Sequence, residues 1–242
     1  MTQPSFAMRT LLCFLLFPAC LTAQKAAVRQ EIEQINRAYA QLTTLRTTMD
    51  YVMYATHAPG AKEIDRQHAV LSRKGDAYHY RIGEIETLTT PDFNVAADHE
   101  DKVLTLDRVR NPSVRSEQQF GLDLNTTLEA CDTVLLSEPT PGTKKITLDI
   151  ALPDLERAEL YFHAQTHLMQ KVVLFYRETE EWEEGKPETK ARMELLYRKQ
   201  DTAPAFAKDL FSVSRFAQKM GGKYVPAPQF KAYNFINQTD FQ

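Results

Sequence analysis

Apolar positions in this chain change period several times, and each change marks an element. Between residues 27 and 45, Val28, Ile32, Ile35, Tyr39 and Leu42 recur at alternating steps of four and three, with Arg29, Glu31, Glu33 and Gln34 between them. That spacing predicts an amphipathic helix with one buried face. The period then falls to two. Met49, Tyr51, Met53 and Ala55 alternate with Asp50, Val52 and Tyr54, which predicts a strand ending at the turn-like His57-Ala58-Pro59-Gly60. Residues 68–73 and 77–82 flank Lys74-Gly75-Asp76 as a hairpin, and 93–97 and 103–109 flank residues 98–101 in the same way.

The meander is interrupted at Asn111-Pro112, after which 120–130 reads as a helix or an ordered loop. Strand character returns at 133–136 and continues with Ile146, Leu148, Ile150 and Leu152 alternating with polar or small residues. Leu160 and Phe162 belong to the next strand, 168–177 is the strongest, and 191–198 is its expected partner across the polar segment 178–189. In the tail, 212–220 suggests a helix stopped by Gly221-Gly222. Strands that follow one another with short turns, and helices at the start, middle and end, indicate an α+β fold: an antiparallel sheet with helices covering one face.

The N-terminus carries a different signal. Arg9 precedes an apolar run from Leu11 to Phe17, and Leu21-Thr22-Ala23 before Gln24 makes a small-residue cleavage site. This is the pattern of an export signal, 1–23, and it is too short to span a bilayer. Removal leaves a single domain, 24–242, of roughly 219 residues, enough to bury a core. The expected location is the periplasm. Phe17-Pro18-Ala19-Cys20 is a poor lipobox, so lipid attachment through Cys20 as an outer-membrane lipoprotein is the minority alternative.

Composition narrows the class. The formal net charge of −3 is spread along the chain with both signs mixed, which excludes the clustered basic stripe of a nucleic-acid surface. With Cys13 and Cys20 in the signal, Cys131 stands alone, so packing and not an intramolecular disulfide must hold the fold. Cys131 itself reads as a small buried hydrophobe.

Candidate chemistry is thin. His163 and His167 have a metal-ligand spacing, but Ala164 stands where a hydrolytic zinc site would place Glu, and the segment reads as a turn. The remaining histidines, His57, His68, His79 and His99, read as surface or edge residues. Residues 178–184, with Trp182, form a dense acidic run read as a solvated hairpin tip. Two sequons, at Asn125 and Asn237, matter only in a eukaryotic secretory pathway. No nucleophile elbow, phosphate loop or dinucleotide fingerprint occurs, so no catalytic residue, cofactor or metal is expected. What remains is a supply of Met and aromatic residues on the strands: Met49, Tyr51, Met53, Tyr78, Tyr80, Ile82, Phe162, Leu174, Phe175 and Tyr176. Such side chains suit a pocket for a greasy ligand, and they suit an ordinary core equally well.

The order of parts resembles the outer-membrane lipoprotein carrier family (LolA/LolB-like): an export signal, an amphipathic helix, a first strand over 47–56, then Gly75-Asp76-Ala77-Tyr78-His79-Tyr80-Arg81 as a turn into an aromatic and basic strand. Thr166 to Leu174 is similar to a family strand that re-enters the sheet after a turn. The resemblance implies a strongly curved antiparallel sheet, an incomplete barrel, with helices as a lid over an apolar cavity for acyl chains. The strand residues Met49, Tyr51, Met53, Tyr80, Ile82, Phe162, Leu174 and Tyr176 are the candidates to line such a cavity, and the resemblance further implies Arg81 holding the lid by hydrogen bonds; Arg66 or Arg73 would serve as well. The tail from Phe206 to Gln242, rich in Tyr and Phe, departs from the family.

The leading expectation is therefore an exported, noncatalytic carrier whose partners are lipid or lipoprotein acyl chains. The alternatives are an interaction subunit of a cell-envelope assembly with a filled core, meeting envelope protein partners, and an exported hydrolase.

Overall fold

A computed structural model describes the backbone of residues 6–109, 124–182 and 184–239, and side chains from residue 24 onward apart from Asn125. The side chains of the export-type segment, Asn111-Pro112, residues 120–123 and the Asn125 side chain lie outside the described residues. The chain divides into two compact units: Met1–Tyr39, Tyr54–Lys62 and Phe120–Glu194 form unit 1, and Ala40–Met53, Glu63–Gln119 and Leu195–Gln242 form unit 2.

Unit 1 contains nearly all of helix α1 (Phe6–Gln41), the short helix α2 (Leu124–Glu129), and strands β7 (Cys131–Thr140), β8 (Thr143–Ile150), β9 (Leu155–His163), β10 (Met169–Glu180) and the start of β11 (Thr189–Asp201). Those strands lie side by side in chain order, and β7 to β10 are antiparallel. Register puts Ile146 and Leu148 opposite Leu160 and Ala158, and Phe162 opposite Met169, so one face is continuous; all six are 0% exposed. The expected helical stripe is equally buried, with Val28, Ile32 and Ile35 at 0%. Polar ties hold α1 to the strands: Met169 N donates to the Tyr39 hydroxyl at 3.1 Å, and Glu31 accepts from Lys144. Burial pushes the Tyr39 pKa up to about 12, against the lowering effect of that backbone bond.

Unit 2 contains most of β1 (Thr44–Tyr54), then β2 (Glu63–Lys74), β3 (Ala77–Ile82), β4 (Ile85–Thr89), β5 (Phe93–Asp98), β6 (Val103–Arg108) and the end of β11. The tail supplies β12 (Ala217–Met220), β13 (Lys223–Pro226) and β14 (Asn234–Asn237). The order β1-β2-β3-β4-β5-β6-β14 is open, with antiparallel pairing at each step from β2 to β6 and parallel pairing of β14 on β6. No closed barrel forms in either unit among the described residues.

The expected helix over 212–220 is corrected. Val213–Arg215 is one 3-10 turn, and Ala217 onward is a strand that pairs antiparallel with β13. Gly221 and Gly222 both hold positive φ, 57° and 86°, the pair of left-handed conformations that a tight two-residue hairpin requires. The glycines that looked like a helix stop are a hairpin turn.

Candidate functional site

Strand alternation gives the sheet of unit 2 two faces of different character. On one, His79, Glu86, Leu88, Val95, Ala97, Leu104 and Leu106 are all buried. The tail closes this face: Phe216, Ala217, Ala227 and Phe230 join the same buried cluster, with Phe211, Tyr224 and Phe235 packed against it. Phe216 and Phe230 stack with centroids 5.4 Å apart. The tail therefore completes the core of unit 2.

A polar network is set into that core. Glu86, 3% exposed, lies 2.6 Å from His79 Nε2 and 3.1 Å from His99 Nε2, and it accepts from Arg215 of the tail. The other ring nitrogen of His99, Nδ1, lies 2.8 Å from the Tyr233 hydroxyl. Burial of Glu86 opposes its ionisation, but the His79 hydrogen bond, the Arg215 charge and the His99 hydrogen bond outweigh burial and lower its pKa to about 2. A buried carboxylate held by three donors is tolerated because each oxygen is satisfied. The reading of His79 as a surface or edge residue is thus corrected: it is 7% exposed inside this network.

The other face of β2, β3 and β4 is apolar but not closed in the same way. Tyr80 sits opposite Leu71 and Thr87, and Ile82 opposite Ala69 and Ile85. Ala69 is buried, but Leu71, Tyr80 and Ile82 are half-buried and Ile85 is 38% exposed. Tyr51 of β1 joins them through a side-chain hydrogen bond with Tyr80, whose pKa burial raises most and this bond raises further.

The expected cavity residues separate between the units. Met49, Tyr51, Met53, Tyr80 and Ile82 belong to unit 2, where Met49 is buried and the other four are half-buried. Phe162, Leu174 and Tyr176 belong to unit 1, where Phe162 is fully buried, Leu174 is half-buried opposite Ala158, and the half-buried Tyr176 points its hydroxyl at Met193 Sδ, 3.9 Å away. Arg81 alternates to the tail-side face of β3 and is exposed. Arg66 instead pairs with Glu63 and Asp50, and Arg73 Nε donates to Gly75 O at 3.0 Å. The arginine that Glu86 takes is Arg215. No local motif marks Glu86, His99, Arg215 and Tyr233; the only cue is an acidic residue at an inward position of a short strand.

The histidine turn of unit 1 is structural. His163 Nδ1 accepts from Gln165 N, and His167 stacks on Phe162 with Nε2 3.4 Å from Glu31. Cys131 is buried with its thiol 3.1 Å from Thr127 O, and burial pushes its pKa up to about 11. A thiol so placed is a packing residue, inert as a nucleophile. At the acidic run Glu178, Glu180, Glu181 and Glu184 are exposed.

No protein-family model matches the sequence, and no curated protein matches it. Solved structures similar to this chain include a conserved uncharacterised protein from Thermus thermophilus, 8% identical with a TM-score of 0.48, spanning 88% of this chain and 99% of that one. A LolA superfamily protein from Nitrosomonas europaea is 10% identical, with a TM-score of 0.35 and 76% and 96% coverage. The Pseudomonas aeruginosa MucA/MucB complex matches at 12% identity and a TM-score of 0.36, over 76% of this chain and 60% of that one.

Proposed function

We propose that the chain is an exported, noncatalytic binding protein of the cell envelope, and that the half-exposed face of β2, β3 and β4 holds an acyl chain of a lipid or lipoprotein. The observation that carries this reading is the contrast between two regions of one sheet. The tail fills the face of β4, β5 and β6 around Leu88, Val95, Ala97, Leu104 and Leu106, while on the opposite face Tyr51, Leu71, Tyr80, Ile82 and Ile85 keep accessible apolar surface. Contiguous accessible apolar surface of this kind marks a binding surface. Each methylene that such a face shields from water contributes about 0.8 kcal/mol, so one acyl chain suffices for tight binding without any chemistry. The tyrosines add amphipathic edges that release a ligand to a more apolar site. In this reading α1 is the cover of the sheet of unit 1, and the Met8 to Ala23 pattern supplies export to the periplasm.

Native mass spectrometry of protein from its own host should show co-purified lipid or lipoprotein, and the delipidated chain should take up a fluorescent fatty acid. Tyr80→Ala should weaken uptake about tenfold, because the ring no longer shields the ligand from water, with the thermal transition retained. A clean apo mass with no uptake removes the carrier reading. The second reading, an interaction subunit for an envelope protein, would then hold; the aromatic filling of the tail-side core favours it.

A further inference from the structure

A second candidate site lies at the start of the tail, lined by residues that belong to neither the Glu86 network nor the open sheet face. Thr44, Lys74, Phe206, Lys208, Phe211 and Ser212 line a pocket of about 450 Å³, all within unit 2. Its two walls differ in chemistry. Phe206 and Phe211 meet edge to face with centroids 5.0 Å apart, and Arg46 lies over the Phe206 ring at 5.0 Å. Lys74 and Lys208, both exposed, supply two ammonium groups, and no carboxylate is among the lining residues.

Backbone bonds build this pocket before any ligand arrives. Gly75 N donates to Thr43 O at 2.8 Å, which fixes the hairpin carrying Lys74 beside the start of β1. Thr44 Oγ1 donates to Thr202 O at 2.9 Å, and Leu210 N and Ser212 N donate to Ala207 O and Asp209 O, so the segment bearing Phe206, Lys208 and Phe211 is a turn of fixed shape. A preformed concave site of several hundred cubic ångströms, with an aromatic wall and convergent charge, has the form of a small-ligand site.

We propose that this pocket binds a phosphate group attached to an apolar body. Two lysines supply two positive charges, and compact ammonium groups bind a phosphate as point charges, which matches the dianion of a phosphate monoester. The paired phenylalanines receive the apolar part. The phosphate comes either from a lipid headgroup or from a soluble phosphate monoester, and the pocket chemistry is shared by both.

Calorimetric titration of the full chain with phenyl phosphate and with dihexanoyl phosphatidic acid tests the site. Saturable binding is expected, weakened at least about tenfold in the Lys74→Ala/Lys208→Ala double variant, because a single hydrogen bond to a charged group carries roughly a tenfold or larger factor in affinity. Lys219→Ala, an exposed lysine of β12 outside the pocket, should bind as the parent does. Tighter binding of the phosphatidic acid identifies the lipid source, and tighter binding of phenyl phosphate the soluble one. Absence of saturable binding to both probes, or undiminished affinity in the double variant, overturns the proposal. It is independent of the open sheet face: Tyr80→Ala should leave phenyl phosphate binding unchanged, and its loss there would place the site elsewhere.

Discussion

In unit 1 the polar ties of the helix accompany an apolar interior, the Lys144 pair partly exposed and the Tyr39 bond buried. Glu31 reaches Lys144 and Tyr39 reaches the start of β10, while Val28, Ile32, Leu160 and Phe162 are fully buried hydrocarbon. In unit 2 a carboxylate and a histidine lie inside the core, and the charge that answers them comes from the tail, 129 residues along the chain from Glu86. The difference follows from what each unit has available. A long amphipathic helix carries its own backbone hydrogen bonds and presents a continuous stripe, so nondirectional packing is enough to seat it. A tail of short strands and single turns has few such bonds, and the Glu86 network gives its position a directional anchor.

The largest effect that tests this contrast should come from the apolar side. Phe162 is 0% exposed in the face shared with Leu160 and Met169. Phe162→Ala should cost about 4 kcal/mol through lost transfer energy and the cavity left behind, read as a lowered urea midpoint at unchanged slope. A loss below about 1 kcal/mol would mean that unit 1 is not sealed by packing, and the comparison would fail.

Glu86→Ala comes next, at about 3 kcal/mol, because it strands Arg215 and two histidines without their acceptor. The low end of the range for a broken buried pair applies, since the Arg215 side chain keeps 29% exposure and water partly replaces the carboxylate. Its pH signature is specific. The folded pKa, about 2, lies below the ordinary 4.5, so the stabilising charge is fully present above about pH 4.5 and is lost as pH falls from there toward 2. Amide exchange should report this at the tail bonds Ala227 N to Phe216 O and Gln238 N to Leu106 O, and Glu86→Gln should flatten the profile. An acid response that persists in Glu86→Gln would assign the latch to another group.

The same contrast explains what could be read from sequence. The stripe Val28, Ile32, Ile35, Tyr39 is written in one period on one element, and all four are buried. The hairpin at Lys74-Gly75-Asp76 was legible because Gly75 must adopt positive φ, and it does, at 57°. Strand β4 was not legible: Ile85 faces out and Glu86 faces in, so the apolar and polar positions of this five-residue strand are inverted. The tail was misread for a related reason. Ala217 to Met220 has one buried residue followed by three exposed ones, no period at all, and only the pairing with β13 defines it as a strand. Of the candidate site, the aromatic residues on strands were visible, but their division between a filled face and an accessible one depends on where the tail docks.

Tyr39→Phe should show the smallest effect, about 1 kcal/mol, and it sharpens the comparison from the other direction. The ring stays, so the packing of unit 1 is unchanged and no cavity forms; only the hydroxyl that accepts from Met169 N is removed. A backbone donor at the start of β10 then lacks that acceptor, which sets the cost near that of one neutral hydrogen bond. The pH dependence also contrasts with Glu86. Burial raises the Tyr39 pKa from 10 to about 12, so its neutral form stabilises the fold throughout the neutral range, and the contribution is lost only as pH rises from about 10 toward 12. Denaturant titrations of wild type and Tyr39→Phe at pH 7 and above pH 10 measure both quantities. A cost equal to that of Phe162→Ala would mean that a polar tie, and not the hydrocarbon stripe, seats α1, and the distinction between the two units would collapse.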